Sequence, residues 1–156
     1  MSVDRVKEFF KPFGLSEKIM EFEESSATVE LAAIALHVKG ERIAKTLSFR
    51  KDDGVILVVT AGDAKIDNRK FKTEFNFKAR MLSPEEVTEK TGHSVGGVCP
   101  FALPKEVGVF LDISLKRFKT VFPACGSNNS AIELTCEELF GYANAKKWVD
   151  VCSNWS

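Results

Sequence analysis

The chain has 156 residues, 44% of them hydrophobic and 13 of them phenylalanine, which suits one domain with a sizeable core and is short for two. Lys+Arg and Asp+Glu both number 22, a balance that argues against wholesale coating of DNA or an anionic membrane and leaves room for a local basic face. No stretch approaches the roughly 20 apolar residues of a membrane span, and the opening MSVDRVKEFF has neither an apolar signal region nor a small-residue cleavage site. The expectation is a single domain over residues 1–156, cytoplasmic, with no membrane or DNA partner. Cys99, Cys125, Cys136 and Cys152 form no Cys-x-x-Cys pair and have no histidine at zinc-ligand spacing. They read as reduced thiols, mostly in the core, and neither metal nor cofactor is expected.

In chain order, VDRVKEFFKPFG puts Val3, Val6, Phe9 and Phe10 on one helical face and ends near Pro12 and Gly14. KIMEFEE alternates like a short strand, and SSATVELAAIALHV follows as a helix with Ser26 or Thr28 as N-cap. AKTLSFRK and GVILVVTAG are β-rich runs joined at Asp52-Asp53-Gly54, good hairpin chemistry. DNRKFKTEFN reads as a helix capped by Asp67, and KARML as a strand. SPEEVTEKTG carries Ser83 as N-cap, Pro84 at the first position, Glu86 closing a capping box and Gly92 as terminator. VGVFLD, TVFPAC, SAIEL and KKWVDVC are strand candidates, with a helical turn at SLKRF and a second capping box, Thr135 and Glu138, opening TCEELFGYAN. Hairpin connections are too frequent for a doubly wound parallel sheet. The expected architecture is mixed α/β, with a curled, barrel-like, mostly antiparallel sheet flanked by helices.

Three loci carry chemistry. TGHSVGGVCP, residues 91–100, crowds Gly92, Gly96 and Gly97 beside His93 and Cys99. Its glycines have neither the spacing nor the Gly-Lys-Ser/Thr ending of a phosphate loop, and no third group orients a Cys99–His93 pair. What remains is backbone: Gly96 and Gly97 let main-chain N–H groups approach a carbonyl or ribose, or let the loop pack closely against a strand. Lys45 is the second locus, a cation among Ile43, Ala44 and Leu47. It is either an edge lysine reaching water or an ammonium aimed at a ligand. The third is ACGSNNS, where Gly126 and Ser127 form either an ordinary turn or a loop presenting a hydroxyl and amides.

In this order and spacing the three loci resemble the YbaK / prolyl-tRNA synthetase-associated editing domain family. The likeness rests on AKTL with Lys45, TGHSVGGVCPF as a Gly-x-x-x-Gly-Gly-x-x-Pro signature, CGSNNSAIEL, and VVTAGDAKIDNRKF between them, and it runs from about residue 20 to about residue 145. It implies a small mixed α/β domain that hydrolyses the ester of wrongly charged aminoacyl-tRNA. By that likeness Lys45, Gly96 and Gly97 are the catalytic set. Phe22, Thr46, His93, Ser94, Val95, Pro100, Gly126, Ser127 and Asn128 line the substrate, with His93 a base, a loop-positioning residue or a tRNA-facing one.

An aminoacyl ester is already activated, so positioned water and oxyanion stabilisation suffice without a Ser-His-Asp set. The implied substrate is tRNA-Pro carrying alanine, cysteine or another small amino acid, with prolyl-tRNA synthetase as a possible partner. Two departures bear on specificity. Ala131 stands where cysteine-removing relatives tend to have an acid, and Phe22 aligns only loosely with a pocket aromatic. Lys65, Arg69, Lys70, Lys72, Lys78 and Arg80, and separately Lys116, Arg117 and Lys119, are the candidate tRNA-facing cations. The alternative reading is a non-catalytic module that holds a tRNA 3′ end or a synthetase. Hydrolysis of some other small ester is a third.

Overall fold

The computed structural model describes residues 2–26, 28–52, 54–94 and 97–155. The first helix, α1 (Ser2–Phe10), turns Val6 and Phe10, both fully buried, to one side, as i, i+4 spacing requires. A helical turn through Pro12 ends at Gly14, whose φ of 72° reverses the chain. Helix α2 (Val29–Leu36) starts at Thr28, whose hydroxyl accepts from Leu31 N at 3.1 Å. Helix α3 (Asn68–Phe75) is capped by the Asp67 carboxylate and α4 (Pro84–Thr91) by the Ser83–Glu86 capping box. The Thr135–Glu138 box opens α5 (Cys136–Tyr142).

The hairpin of β2 (Ile43–Lys51) and β3 (Gly54–Ala61) is the centre of the sheet, in register from Ala44 opposite Ala61 to Lys51 opposite Gly54. Asp52 takes the left-handed conformation at its tip (φ 52°); Asp53 lies outside the described residues. With β5 (Gly108–Asp112), β6 (Thr120–Pro123), β8 (Leu134–Thr135) and β9 (Trp148–Val149), the order is β8-β6-β2-β3-β5-β9. Two short ladders stand outside it: β1 (Met20–Glu21) with β7 (Ser130–Ala131), and β4 (Lys65–Ile66) with β10 (Cys152–Ser153). The sheet is strongly curled into a half-barrel. The long central β2–β3 ladder, β6–β8 and the two outlying ladders are antiparallel, while β2–β6, β3–β5 and β5–β9 run parallel. The mixed, curled α/β architecture is therefore present, with α3 and α4 making the crossover between β3 and β5.

Three strand expectations are corrected. KARML keeps only a single bridge, Met81 to Phe49, because Pro84 starts a helix three residues later and Met81 is left 60% exposed. SAIEL divides at Ile132, whose N–H donates to Pro123 O (3.1 Å) where β6 ends. Ser130 and Ala131 then pair with β1, and Leu134 and Thr135 with β6. KKWVDVC divides because the buried Asp112 carboxylate takes the Val151 N–H (2.9 Å), displacing a strand partner.

The main core gathers Phe10, Phe49, Phe71, Phe101, Leu57 and Leu111 with their neighbours. A second, smaller cluster of Ala32, Ile43 and Phe122, bordered by Val29 and Leu36, holds α2 over β2 and β6. That thin layer leaves an opening between helix and sheet.

Candidate active site

A cleft of about 240 Å³ fills this opening. Val29 and Ala32 of α2 form one wall, residues 43–47 of β2 the floor, Phe122 and Ala124 the far side, and Ser130, Ala131 and Val98 the end. Most of these are small or apolar. The cation among them is Lys45.

Lys45 is half-buried, and its Nζ donates to Ala64 O at 2.6 Å and to Gly62 O at 3.4 Å. Those carbonyls engage two of the three ammonium N–H bonds, leaving a donor for a ligand. The turn carrying them is fixed twice. Arg117 grips Asp63 through two bonds, Nη1 to Oδ2 at 3.0 Å and Nη2 to Oδ1 at 2.5 Å, while stacking over Trp155 at 5.0 Å. On the other side, a Cβ at Gly62 would lie 2.0 Å from Gly40 O, so only glycine lets the turn sit against the chain that follows α2. Burial lowers the Lys45 pKa below its ordinary 10.5; the Asp63 and Glu30 carboxylates oppose that. Cys152 also lies near, but burial and the Asp112 carboxylate push its thiol far up, so it is neutral at pH 7. Thr46 Oγ1, beside Lys45 on the cleft, is buried with no hydrogen-bond partner among the described residues.

The glycine loop meets the cleft through Val98. Val95 and Gly96 lie outside the described residues. Gly97 is buried against the ACGSNNS loop: a Cβ there would stand 2.5 Å from Ser127 Cα and N and 2.6 Å from Gly126 C. Its N–H donates to Ser94 O (2.9 Å), so the contribution visible at Gly97 is close approach of two backbones, with its amide engaged inside its own turn. Gly126 has φ 92°, open to glycine at no steric cost. Ser127 Oγ lies 2.7 Å from Ser130 Oγ and 2.9 Å from Asn129 Oδ1, donating in one contact and accepting in the other.

His93 points away from the cleft. It is fully buried, with Nε2 2.8 Å from Phe101 O and 3.6 Å from Cys99 Sγ, and Nδ1 without a partner among the described residues. The arrangement assigns the proton to Nε2, which donates to Phe101 O and leaves Nδ1 as a bare acceptor. Burial, reinforced by the Arg5 charge, holds the ring below the ordinary imidazole range. A neutral ring so enclosed packs inside the base of its loop and does not line the cleft. Cys99 is equally enclosed, and burial raises its thiol to about 12, so it is a core residue and no nucleophile.

Of the remaining expected residues, Pro100 is buried and Ser94 exposed, both within the loop and not among the residues lining the cleft. Phe22 and Asn128 stitch the first strand to the third locus. Phe22 N–H donates to Asn129 O (2.8 Å), and Asn128 O accepts from Ser26 N (2.5 Å). The structure thus brings Lys45, Thr46, Val98 and Ser130 to one cleft, with the Gly97–Ser127 contact behind it. Ser130 was missed in the sequence; the Ser-x-x-Ser repeat of SNNS, two hydroxyls at turn spacing, was its signal. Among the described residues, no group of three or more His, Cys, Asp or Glu is placed to hold a metal.

A profile of the aminoacyl-tRNA editing domain matches residues 23–142. The chain belongs to that family. It is 58% identical over 156 residues, 99% of each chain, to YwhH, an uncharacterized protein of Bacillus subtilis (strain 168). It is 25% identical over 127 residues, 80% of this chain and 77% of the other, to EbsC of Enterococcus faecalis, named as a candidate Cys-tRNA(Pro)/Cys-tRNA(Cys) deacylase. Among solved structures, one described as a candidate trans-editing enzyme for prolyl-tRNA synthetase superposes with a TM-score of 0.87 at 28% identity, covering 97% of both chains.

Proposed function

We propose that this protein is a trans-acting deacylase that hydrolyses the ester of mischarged aminoacyl-tRNA, tRNA-Pro bearing a small amino acid such as alanine or cysteine, in the cytoplasm. The observation that carries the reading is Lys45, a half-buried ammonium with a donor to spare, on the floor of a small, mostly apolar cleft beside a glycine loop. A cleft of about 240 Å³ is on the scale of a small aminoacyl group and its ester.

In the proposed reaction, water adds to the ester carbonyl carbon, the carbonyl π electrons moving to oxygen. The tetrahedral adduct then expels the ribose oxygen, which takes up the proton the water gives up. The products are the amino acid and tRNA with a restored terminal hydroxyl. The neighbouring ribose hydroxyl orients the water. Lys45 supplies positive charge toward the developing oxyanion or the terminal nucleotide. No side-chain nucleophile enters, in keeping with the buried Cys99 and His93. Incubation with Ala-, Cys- and Ser-charged tRNA-Pro tests the proposal: release of one amino acid above the uncatalysed rate supports it, and release of none overturns it.

Two further results are expected. Lys45 acts as an ammonium, so activity is present below its pKa and lost as pH rises through it. Because burial lowers that pKa, the alkaline limb, after subtraction of spontaneous hydrolysis, falls below 10.5. Lys45→Arg, which stays charged, loses that limb. Second, Arg69, Lys72 and Lys78 line an exposed groove on α3 and the segment after it. Lys70 nearby is paired with Asp150, and Arg117 with Asp63. Replacing Arg69, Lys72 and Lys78 together by alanine is expected to raise KM for every charged tRNA alike. The salt dependence of KM is expected to flatten by about one unit of slope for each phosphate no longer neutralised. Titration of KM against salt measures it.

A further inference from the structure

The loop of residues 92–102 leaves and re-enters the fold through two left-handed residues, Gly92 (φ 79°) and Ala102 (φ 55°). The second is an alanine, a conformation that persists only when its surroundings enforce it. One side chain accounts for both ends. Arg5 of α1 donates from Nη1 to Gly92 O (2.9 Å) and from Nη2 to Ala102 O (2.7 Å). Its guanidinium occupies the space that a Gly92 side chain would need, since a Cβ there would lie 2.4 Å from Nη1. The base of the loop is tied a second time from inside, by His93 Nε2 to Phe101 O. Phe10 of the same helix packs edge-on against Phe101, ring centres 4.8 Å apart.

The geometry points to Arg5 as a positioning residue of the cleft, a two-pronged clamp that sets where the glycine loop meets the Ser127 loop. Arg5 does not line the cleft. It acts on the loop's two ends, and the loop carries the effect to Gly97, in backbone contact with Gly126 and Ser127, and to Val98 on the cleft wall. The planar fork matters as much as the charge: two carbonyls held by one rigid guanidinium fix the width of the loop, which a single flexible ammonium cannot do. Helix α1 lies outside residues 23–142, so the family match assigns nothing to it.

The inference rests on the deacylase reading for its kinetic consequence, and hydrogen exchange tests the clamp apart from it. Arg5→Ala and Arg5→Lys are compared with wild type well below the melting temperature of each. The expected result is faster exchange across residues 92–102 in Arg5→Ala, with kcat on the preferred charged tRNA down about 10–100-fold and KM within about threefold. Arg5→Lys is expected to recover part of both. Unchanged exchange in Arg5→Ala overturns the clamp. Faster exchange with unchanged kcat overturns the positioning role, leaving a surface contact only. A wild type that deacylates none of the charged tRNAs, with exchange still faster in Arg5→Ala, sinks the deacylase reading and leaves the clamp standing.

Discussion

Replacing Lys45 by alanine is expected to abolish deacylation, lowering kcat by about 100-fold or more, the scale of losing one preorganised donor at a developing oxyanion. The fold is expected to survive. Removing a half-buried cation relieves its desolvation, while Ala64 O and Gly62 O lose a donor at a cleft that water can enter. These effects oppose each other, and the net change in stability is about 1 kcal/mol or less. Lys45→Arg keeps the charge, but its longer planar fork does not fit the two carbonyls of residues 62 and 64 as the ammonium does. Partial activity is expected there. Measurement of Ala-, Cys- and Ser-tRNA-Pro deacylation by all three proteins separates the possibilities. A dead alanine variant that still binds tRNA places Lys45 in the chemistry. An alanine variant as active as wild type removes Lys45 from the site and with it the reading of the cleft.

Lys45 stood out in the sequence for a local reason, a charge in an apolar strand start. That pattern left open an edge lysine reaching water, and the family likeness made the choice. Helix ends were legible for a similar local reason. Ser83, Pro84, Glu86 and Gly92 each satisfy or avoid an orphaned backbone group within four residues of themselves, as do Thr135 and Glu138. The β2–β3 hairpin follows from two β-rich runs joined at Asp52-Asp53-Gly54. What stayed hidden depends on partners distant in the chain. KKWVDVC has the composition of one strand, and it is split by a carboxylate 39 positions away, Asp112, accepting from Val151 N. The three parallel ladders likewise need crossovers whose docking no local pattern announces.

His93 shows the same limit within the site. A histidine in a glycine loop reads as a base, a loop-positioning residue or a tRNA-facing one, and only the three-dimensional path turns its ring onto Phe101 O. Arg5 gave no signal at all, since nothing in DRVKEFF says that one arginine reaches carbonyls 87 and 97 positions on. Glycine is the opposite case. The sequence marks Gly96 and Gly97 as special without saying whether their use is donation or close approach. For Gly97 the packing answers that: its N–H stays in its own turn and its missing side chain lets two loops touch.

That answer makes Gly97→Ala the second large-effect variant. The added Cβ would meet main-chain atoms of Gly126 and Ser127 at 2.5–2.6 Å, with no flexible side chain to yield. The loops must part by about 1 Å to restore ordinary contact, moving Val98 and the Ser127–Ser130 hydroxyl pair at the end of the cleft. Overpacking of this kind costs about 1–3 kcal/mol of stability. A displacement of about 1 Å at a reacting centre costs about 100-fold in kcat. The two effects can be separated with Gly141→Ala. Gly141 lies in α5, and a methyl added there would have no neighbour within 4 Å. Alanine at that position is expected to add about 0.5–1 kcal/mol through helix propensity without touching the cleft. The double variant should therefore regain part of the lost melting temperature and none of the lost kcat. If activity returned together with stability, the Gly97 contact would be a matter of folding alone, and the cleft wall would not depend on how closely the two backbones approach.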